Sequence, residues 1–266
     1  MSRVAGWGAL IIGDEIIRGS RQDRHFTKAV EILAARGLHL DWAMYVGDDR
    51  RRLTDTLRRT MAAGDVVFSF GGIGVTPDDH TRQAAAEAAA TTLALHPEAE
   101  AEIRARFAES GAEVTPQRLQ LGEFPLGSRI VPNPFNRIPG FSLGEHHFFP
   151  GFPQMAWPML EWVLDTYYRE AFHAVAEADA AIIVWEGMES TLLPLMHRIE
   201  ATYPLARVFS LPSFGGENMR RHIELGVRGE PSQVAAAMAE IREEATRLGY
   251  AWEEKPEKKT PAQGRG

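Results

Sequence analysis

Apolar positions in the first part of this chain alternate between strand-like runs and helical stripes. Residues 5–12 (AGWGALII) form an apolar run that stops at Gly13-Asp14-Glu15, a strand followed by an acidic turn. Phe26, Ala29, Val30, Leu33 and Ala34 recur at helical spacing, and Gly37 supplies the stop. Residues 38–46 (LHLDWAMYV) alternate as a half-buried strand does. Asp48 and Asp49 offer a cap for a helix whose inner face is Leu53, Leu57 and Met61, and Val66–Phe70 is a third strand. Strand, helix, strand, helix, strand within 70 residues predicts an α/β fold with a parallel sheet covered by helices. The loops after the strands then share one edge, where open sheets of this kind bind ligands.

Further along, the alanine-rich stretch 83–90 predicts a helix, and Pro97 opens another that runs through Phe107 to a stop at Gly111. Residues 122–153 are rich in Gly and Pro, with short strands expected at Arg129–Val131 and His147–Phe149. Pro158 is placed in the first turn of a helix ending near Arg169, and Trp157, Trp162 and Tyr167 on it read as core or interface. A second unit starts near Asp179: strand 180–185, helix 190–202, strands 206–211 and 221–228, then a helix with Val234, Met238, Ile241, Ala245 and Leu248 on one stripe. That βαββα order suits a small α+β layer. The expected organisation is a main domain over 1–172, a small one over 178–250, and a polar tail over 254–266 that reads as disordered. No internal repeat is visible.

The 266 residues suit one large and one small domain, and 44% hydrophobic content supplies a substantial core. A net charge of −7 argues against nucleic acid as the partner of the whole chain. The second unit also lacks a GxxG loop flanked by basic residues, although Gly215-Gly216 lies near Arg220 and Arg221. The absence of cysteine excludes disulfides, thiolate metal sites and a thiol nucleophile, and fits a cytoplasmic location. The N-terminal run is too short and too soon interrupted for a signal peptide, and no run approaches the roughly 18 apolar residues of a membrane span.

The densest chemistry lies at Gly71–Asp79, GGIGVTPDD, directly behind the third strand. Gly71, Gly72 and Gly74 let backbone N–H groups approach an anion, and a helix start beyond them adds a favourable dipole. Asp78 and Asp79 beside that anion would repel it, a conflict that a divalent cation such as Mg²⁺ removes. Capping needs only one of the two acids. Asp14 and Asp23 share the ligand edge, and Thr76 suits either a cap or a phosphate contact. Arg50, Arg51 and Arg52 read as a solvated helix start, Arg82 as a candidate phosphate partner, and His80 as an exposed helix histidine. Ser69 reads as a plain strand residue, and His146-His147 as surface.

Gly13-Asp14-Glu15, Asp23, Val46-Gly47-Asp48-Asp49, GGIGVTPDDHT (71–81), Asn133-Pro134, Pro139-Gly140 and Pro150-Gly151-Phe152-Pro153 follow the order and spacing of one family. Over residues 5 to about 170 the chain resembles the molybdopterin-binding (MoaB/Mog-like) domain in its competence/damage-inducible (CinA) version. The resemblance implies a three-layer αβα fold with a mostly parallel sheet, followed by a small KH-like domain. It implies that Gly71, Gly72, Gly74, Thr76 and Thr81, with Asp23, Gly151 and Pro153, bind a phosphorylated ligand. Asp78, Asp79 and Asp14 would hold the metal and serve any chemistry. Relatives bind molybdopterin, or hydrolyse ADP-ribose at its pyrophosphate with a divalent metal; a non-catalytic sensor or scaffold is a third reading. Homo-oligomers, dimers or trimers, are expected, and the C-terminal amidohydrolase domain of full-length CinA is expected to be absent. The chain departs from the family pattern at His25, Val75, Met155 and Asn136-Arg137-Ile138, which puts the catalytic surround in doubt.

Overall fold

The computed structural model describes residues 6–109, 111–174, 176–216 and 220–255, so the expected tail over 254–266 lies outside the described residues from 256 on. Two compact units divide after Ala174. No described helix is long and apolar enough to cross a membrane.

The first unit runs β1 (Trp7–Ile12), α1 (Asp14–Ile17), α2 (His25–Ala34), β2 (Trp42–Val46), α3 (Arg50–Ala63), β3 (Val66–Phe70) and α4 (Thr81–Ala88). It continues through β4 (Leu93–Leu95), α5 (Pro97–Glu109), α6 (Pro116–Leu119), β5 (Glu123–Pro125), β6 (Arg129–Val131), β7 (Gly140–Leu143), β8 (His146–Phe149) and α7 (Pro153–Tyr167). Six strands form one sheet in the order β2-β1-β3-β8-β7-β6. The first four are mutually parallel; β7 runs antiparallel to β8, and β6 antiparallel to β7. Period-two alternation sorts the side chains into two cores. Ile11, Phe68 and Phe70 pack with α2 and α7, while Leu10, Ile12 and Val67 pack with α3, α4 and α5. Helices on both faces make the three-layer arrangement.

Several expectations shift for physical reasons. The strand expected from residue 38 begins at Trp42, because the Leu38 N–H closes the turn after α2 onto the Leu33 carbonyl at 2.9 Å. Pro153, not Pro158, opens α7, where its missing N–H is harmless; Pro158 lies inside the helix. The four-residue strand β7 was not anticipated. It forms a hairpin with β8 through Gly144-Glu145, Gly144 having φ 58°.

His146 and His147 are buried in β8, not on the surface. The His146 Nε2 lies 2.8 Å from the Thr60 hydroxyl, which itself donates to the Leu57 carbonyl. The His147 ring joins Ser142 through Nδ1 and Tyr168 through Nε2, each at 2.7 Å, and the Tyr168 hydroxyl donates to Glu145 at 2.5 Å. Because Tyr168 gives its proton to Glu145, it accepts from His147 Nε2–H, and Nδ1 accepts from Ser142. Burial pushes His146 down to about 4. Burial, aided by the charges of His146 and Arg129, pushes His147 down to about 3.

The second unit comprises β9 (Ala178–Trp185), α8 (Glu189–Thr202), β10 (Ala206–Ser213), β11 (His222–Gly229), α9 (Pro231–Arg247) and β12 (Trp252–Glu254). Its antiparallel sheet has the order β10-β11-β9-β12. Val234, Met238, Ile241 and Ala245 of the α9 stripe are buried as the spacing requires. The strand β12 escaped the pattern because it is three residues long and ends in two glutamates.

Candidate functional site

At the C-terminal ends of β1, β3 and β8 the chain opens into three turns around a cavity of about 640 Å³. The glycine loop from Gly71 to Thr76 forms one wall, and Pro150-Gly151-Phe152 forms another. Gly71 is tied to β8 by its N–H, which donates to the Phe149 carbonyl at 3.0 Å.

The loop's glycines answer first to packing. Gly71 and Gly72 have φ 106° and 68°, which a side chain rarely tolerates. A Cβ on Gly71 would meet the Ile12 carbonyl oxygen at 2.4 Å, and one on Gly72 the Thr81 hydroxyl at 2.2 Å. On Gly74 it would meet the Asp79 carboxylate at 2.3 Å. These glycines therefore let the loop fold tightly on itself, with its backbone left to line the cavity.

The acids do not stand at a helix start. The helix α4 begins at Thr81, with His80 before it, and Asp79 is bound into the loop. Its Oδ2 accepts from the Thr76 N–H at 2.9 Å and from the Thr76 hydroxyl at 2.5 Å. Thr76 is thus occupied by Asp79. Thr81 is buried beneath the loop, where its hydroxyl donates to the Gly71 carbonyl and its N–H to the Gly72 carbonyl. Arg82 is also buried, only 3% exposed. It donates to the carbonyls of Gly74 at 2.7 Å, Glu123 at 3.1 Å and Gln120. It therefore braces the loop from behind and does not reach into the cavity.

Pairing leaves an asymmetry. The carbonyls of Gly71, Gly72, Gly74 and Thr76 all accept a hydrogen bond from within the protein. The N–H groups of Gly72, Ile73, Gly74 and Val75 have no protein acceptor among the described residues. A cavity wall with four successive free donors and four of its six loop carbonyls already used attracts an anion.

The remaining acids divide. Asp14 and Asp48 exchange bonds: the Asp14 N–H donates to Asp48 at 2.8 Å, and the Asp48 N–H to Asp14 at 3.2 Å. Asp14 also pairs with Arg18 at 2.9 Å and is not on the cavity wall. Asp48, Glu15, Asp78 and Asp79 are on it. Burial, then the charges of Asp14, Glu15 and Asp78, raise the Asp48 carboxyl above the usual carboxylate range, against the Asp14 N–H it accepts. Of the Asp48-Asp49 pair, Asp49 alone caps α3, accepting from the Arg52 N–H at 2.8 Å. Among the described residues no three His, Asp or Glu side chains gather to hold a metal ion. With Asp14 turned to Arg18 and Asp79 to Thr76, the expected Asp14–Asp78–Asp79 metal set does not fit.

Asp23 also differs from expectation. Its carboxylate accepts from the N–H groups of His25 at 2.8 Å and Phe26 at 3.2 Å, and from the Tyr45 hydroxyl at 2.8 Å. It anchors the start of α2 outside the cavity wall. His25 stacks on Phe70 with ring centroids 4.8 Å apart, its Nε2 lies 3.2 Å from the Gly151 carbonyl, and burial lowers its pKa. Gly151 is on the wall, and Pro153 is not.

A family model described as "Probable molybdopterin binding domain" matches residues 8–170. The chain belongs to this molybdopterin-binding domain family. It is 33% identical over 156 residues to a CinA-like protein of Syntrophotalea carbinolica, covering 57% of this chain and 38% of that protein. A CinA-like protein of Parasynechococcus marenigrum is 28% identical over 258 residues, 92% of this chain and 60% of its own length, so that match extends through both units. The chain thus spans well under the full length of the curated relatives it matches. Among solved structures, the protein CinA with unknown function from Thermoplasma acidophilum superposes with a TM-score of 0.54 at 26% identity, covering 60% of this chain and 97% of that one.

In this molybdopterin-binding domain the far side of the cavity is built by segments whose chemistry the sequence did not reveal. Leu121, Ile138, Pro139, Phe152 and Met155 supply an apolar wall beside Ile73 and Val75. Asn133 holds its shape, its amide donating to the Ile138 carbonyl at 2.9 Å and its Oδ1 accepting from the Phe135 N–H at 3.0 Å. Arg137, in a left-handed conformation with φ 61°, is pinned to α5 by Glu102 at 3.2 Å and Glu109 at 3.1 Å. The sequence reading also missed Arg21, a cation on the wall within a polar run that carries no periodic signal.

Proposed function

We propose that the main domain binds a phosphorylated pterin or nucleotide in this cavity, with the phosphate against the loop from Gly72 to Val75 and the ring against the apolar wall. The unpaired N–H groups beside paired carbonyls carry this reading. Ile138, Phe152 and Met155 support it, because a planar heterocycle buries apolar area there while its anion stays at the polar end. Calorimetric titration with molybdopterin and with ADP-ribose tests it. Saturable binding of either, lost in Gly72→Ala, is expected; no binding of either would sink the reading.

A second reading, metal-dependent hydrolysis of an ADP-ribose-type pyrophosphate, draws on Glu15, Asp48 and Asp78 along the cavity wall. Release of phosphate-bearing products from ADP-ribose in Mg²⁺ would support hydrolysis. Tight ligand binding without any product in Mg²⁺ would leave a binding or sensing domain.

A further inference from the structure

We infer that an anion at the glycine loop is held without a metal ion, by the free loop amides together with Arg82 behind the loop and Arg21 on the cavity wall. This rests on the proposed function, in that the cavity takes a phosphorylated ligand.

A divalent cation seemed necessary because two carboxylates stood beside the anion. The folded loop eases that conflict in part, since Asp79 is committed to the Thr76 N–H and hydroxyl, which partly offset its charge. Asp14, the third member of the expected metal set, faces Arg18. Positive charge is meanwhile present, from Arg82 behind the loop and from Arg21. Arg82 is buried among three carbonyl oxygens and makes no ion pair among the described residues; Glu123 and Asp79 act on its charge only from longer range. Its Nε is buried without any partner. A buried cation that lacks a counter-charge is costly. Its guanidinium grips the Gly74 carbonyl directly behind the free amides, so an anion on the cavity side of the loop offsets that cost.

Arg21 supplies the second charge. It lies on the stretch between α1 and α2, is exposed, and forms no hydrogen bond or ion pair through its side chain among the described residues. The other charged residues on the cavity wall, Glu15, Asp48, Asp78 and Asp79, are all acids. An unpaired guanidinium on the same cavity wall as unpaired amides suits a phosphate's several oxygens, and its planar fork fits them better than a point charge. Arg21 is therefore placed as a contact to the anion. Arg82 is a positioning residue, acting through Gly74 and through its field.

Calorimetric titration of the full chain with inorganic pyrophosphate, in EDTA and in Mg²⁺ and at two salt concentrations, tests this. Saturable binding in EDTA is expected. Arg21→Gln, an exposed change that leaves folding intact, should weaken it roughly tenfold and flatten its salt dependence. Arg82→Gln should lose EDTA binding and Arg82→Lys should retain it, because the lysine keeps the charge; a purely bracing role would make the two variants alike. Binding that appears only with Mg²⁺ would overturn the inference and leave the proposed function standing. An unchanged affinity and salt slope in Arg21→Gln would overturn it too. No binding in either buffer would overturn both.

Discussion

Strands β3 and β8 run side by side in parallel, and each end of the pair is crowded with polar groups. At the N-terminal end, His146 and His147 sit in closed hydrogen-bond chains through Thr60, Ser142, Tyr168 and Glu145. At the C-terminal end, the glycine loop keeps the carbonyls of Gly71, Gly72, Gly74 and Thr76 paired and the amides from Gly72 to Val75 free beside a cavity of about 640 Å³. Residue type does not distinguish the ends, since histidines are the more familiar functional side chains and glycines the blander ones. Pairing does. A buried polar group with its partners in place contributes to the fold, whereas a free donor beside open space is available to a ligand.

The largest expected effect tests the closed end. The histidines stay neutral in the fold but protonate near 6.5 when the chain unfolds. Below that pH the unfolded state binds more protons, so their contribution is complete above about pH 6.5 and is lost as the pH falls toward 4 and then 3. The slope approaches about 1.4 kcal/mol per pH unit for each histidine. Urea unfolding midpoints should fall steadily from about pH 7 to about pH 5. A flat profile would mean that this end is open to water.

At the open end, Gly71→Ala forces a Cβ against the Ile12 carbonyl in a backbone with φ 106°. A loss of about 3 kcal/mol in unfolding free energy is expected, together with loss of ligand binding. Tyr168→Phe sharpens the contrast from the other side. It removes the link between His147 and Glu145, for a loss of about 1–2 kcal/mol by denaturant titration, with ligand affinity unchanged. The smallest effect separates the adjacent acids. Asp79→Ala, which removes the partner of both the Thr76 N–H and hydroxyl, should destabilise by about 1 kcal/mol, as loss of a cap does, while Asp78→Ala, which removes a carboxylate that shares the Thr76 hydroxyl, should lower the thermal midpoint less. Equal shifts in the two would contradict the division of roles between them.

Much of the architecture was legible because it follows from local periodicity. Trp7–Ile12 within the run 5–12 and Val66–Phe70 are largely buried strands, Leu53 and Leu57 face the core from α3, and the α9 stripe is buried as spaced. The site was legible as a place, since the glycine loop and the Pro150–Phe152 turn do meet at one sheet edge. The roles of its residues were less so. Asp78 and Asp79 look alike in sequence and both line the cavity, yet a tight turn lets Asp79 take both the N–H and the hydroxyl of Thr76. Asp48 looked like a cap and lines the cavity, while Asp23 looked like a ligand contact and anchors α2. His146 and His147 looked exposed because their partners come from α3 and from the chain beyond α7, 86 and 21 residues away.

The chain by itself therefore determined its elements, their parallel order and the edge where the loops gather, because strand and helix rhythms are set by neighbours a few residues apart. It also determined that Gly71, Gly72 and Gly74 allow a tight loop. Tertiary structure alone decided which polar groups are spent and which are free. Arg82 finds the carbonyls of Gly74, Gln120 and Glu123, and Thr81 finds Gly71 and Gly72, only once α4 is packed beneath the loop. Hydrogen bonds close over about 3 Å, and no spacing along the chain records which distant groups will come that near.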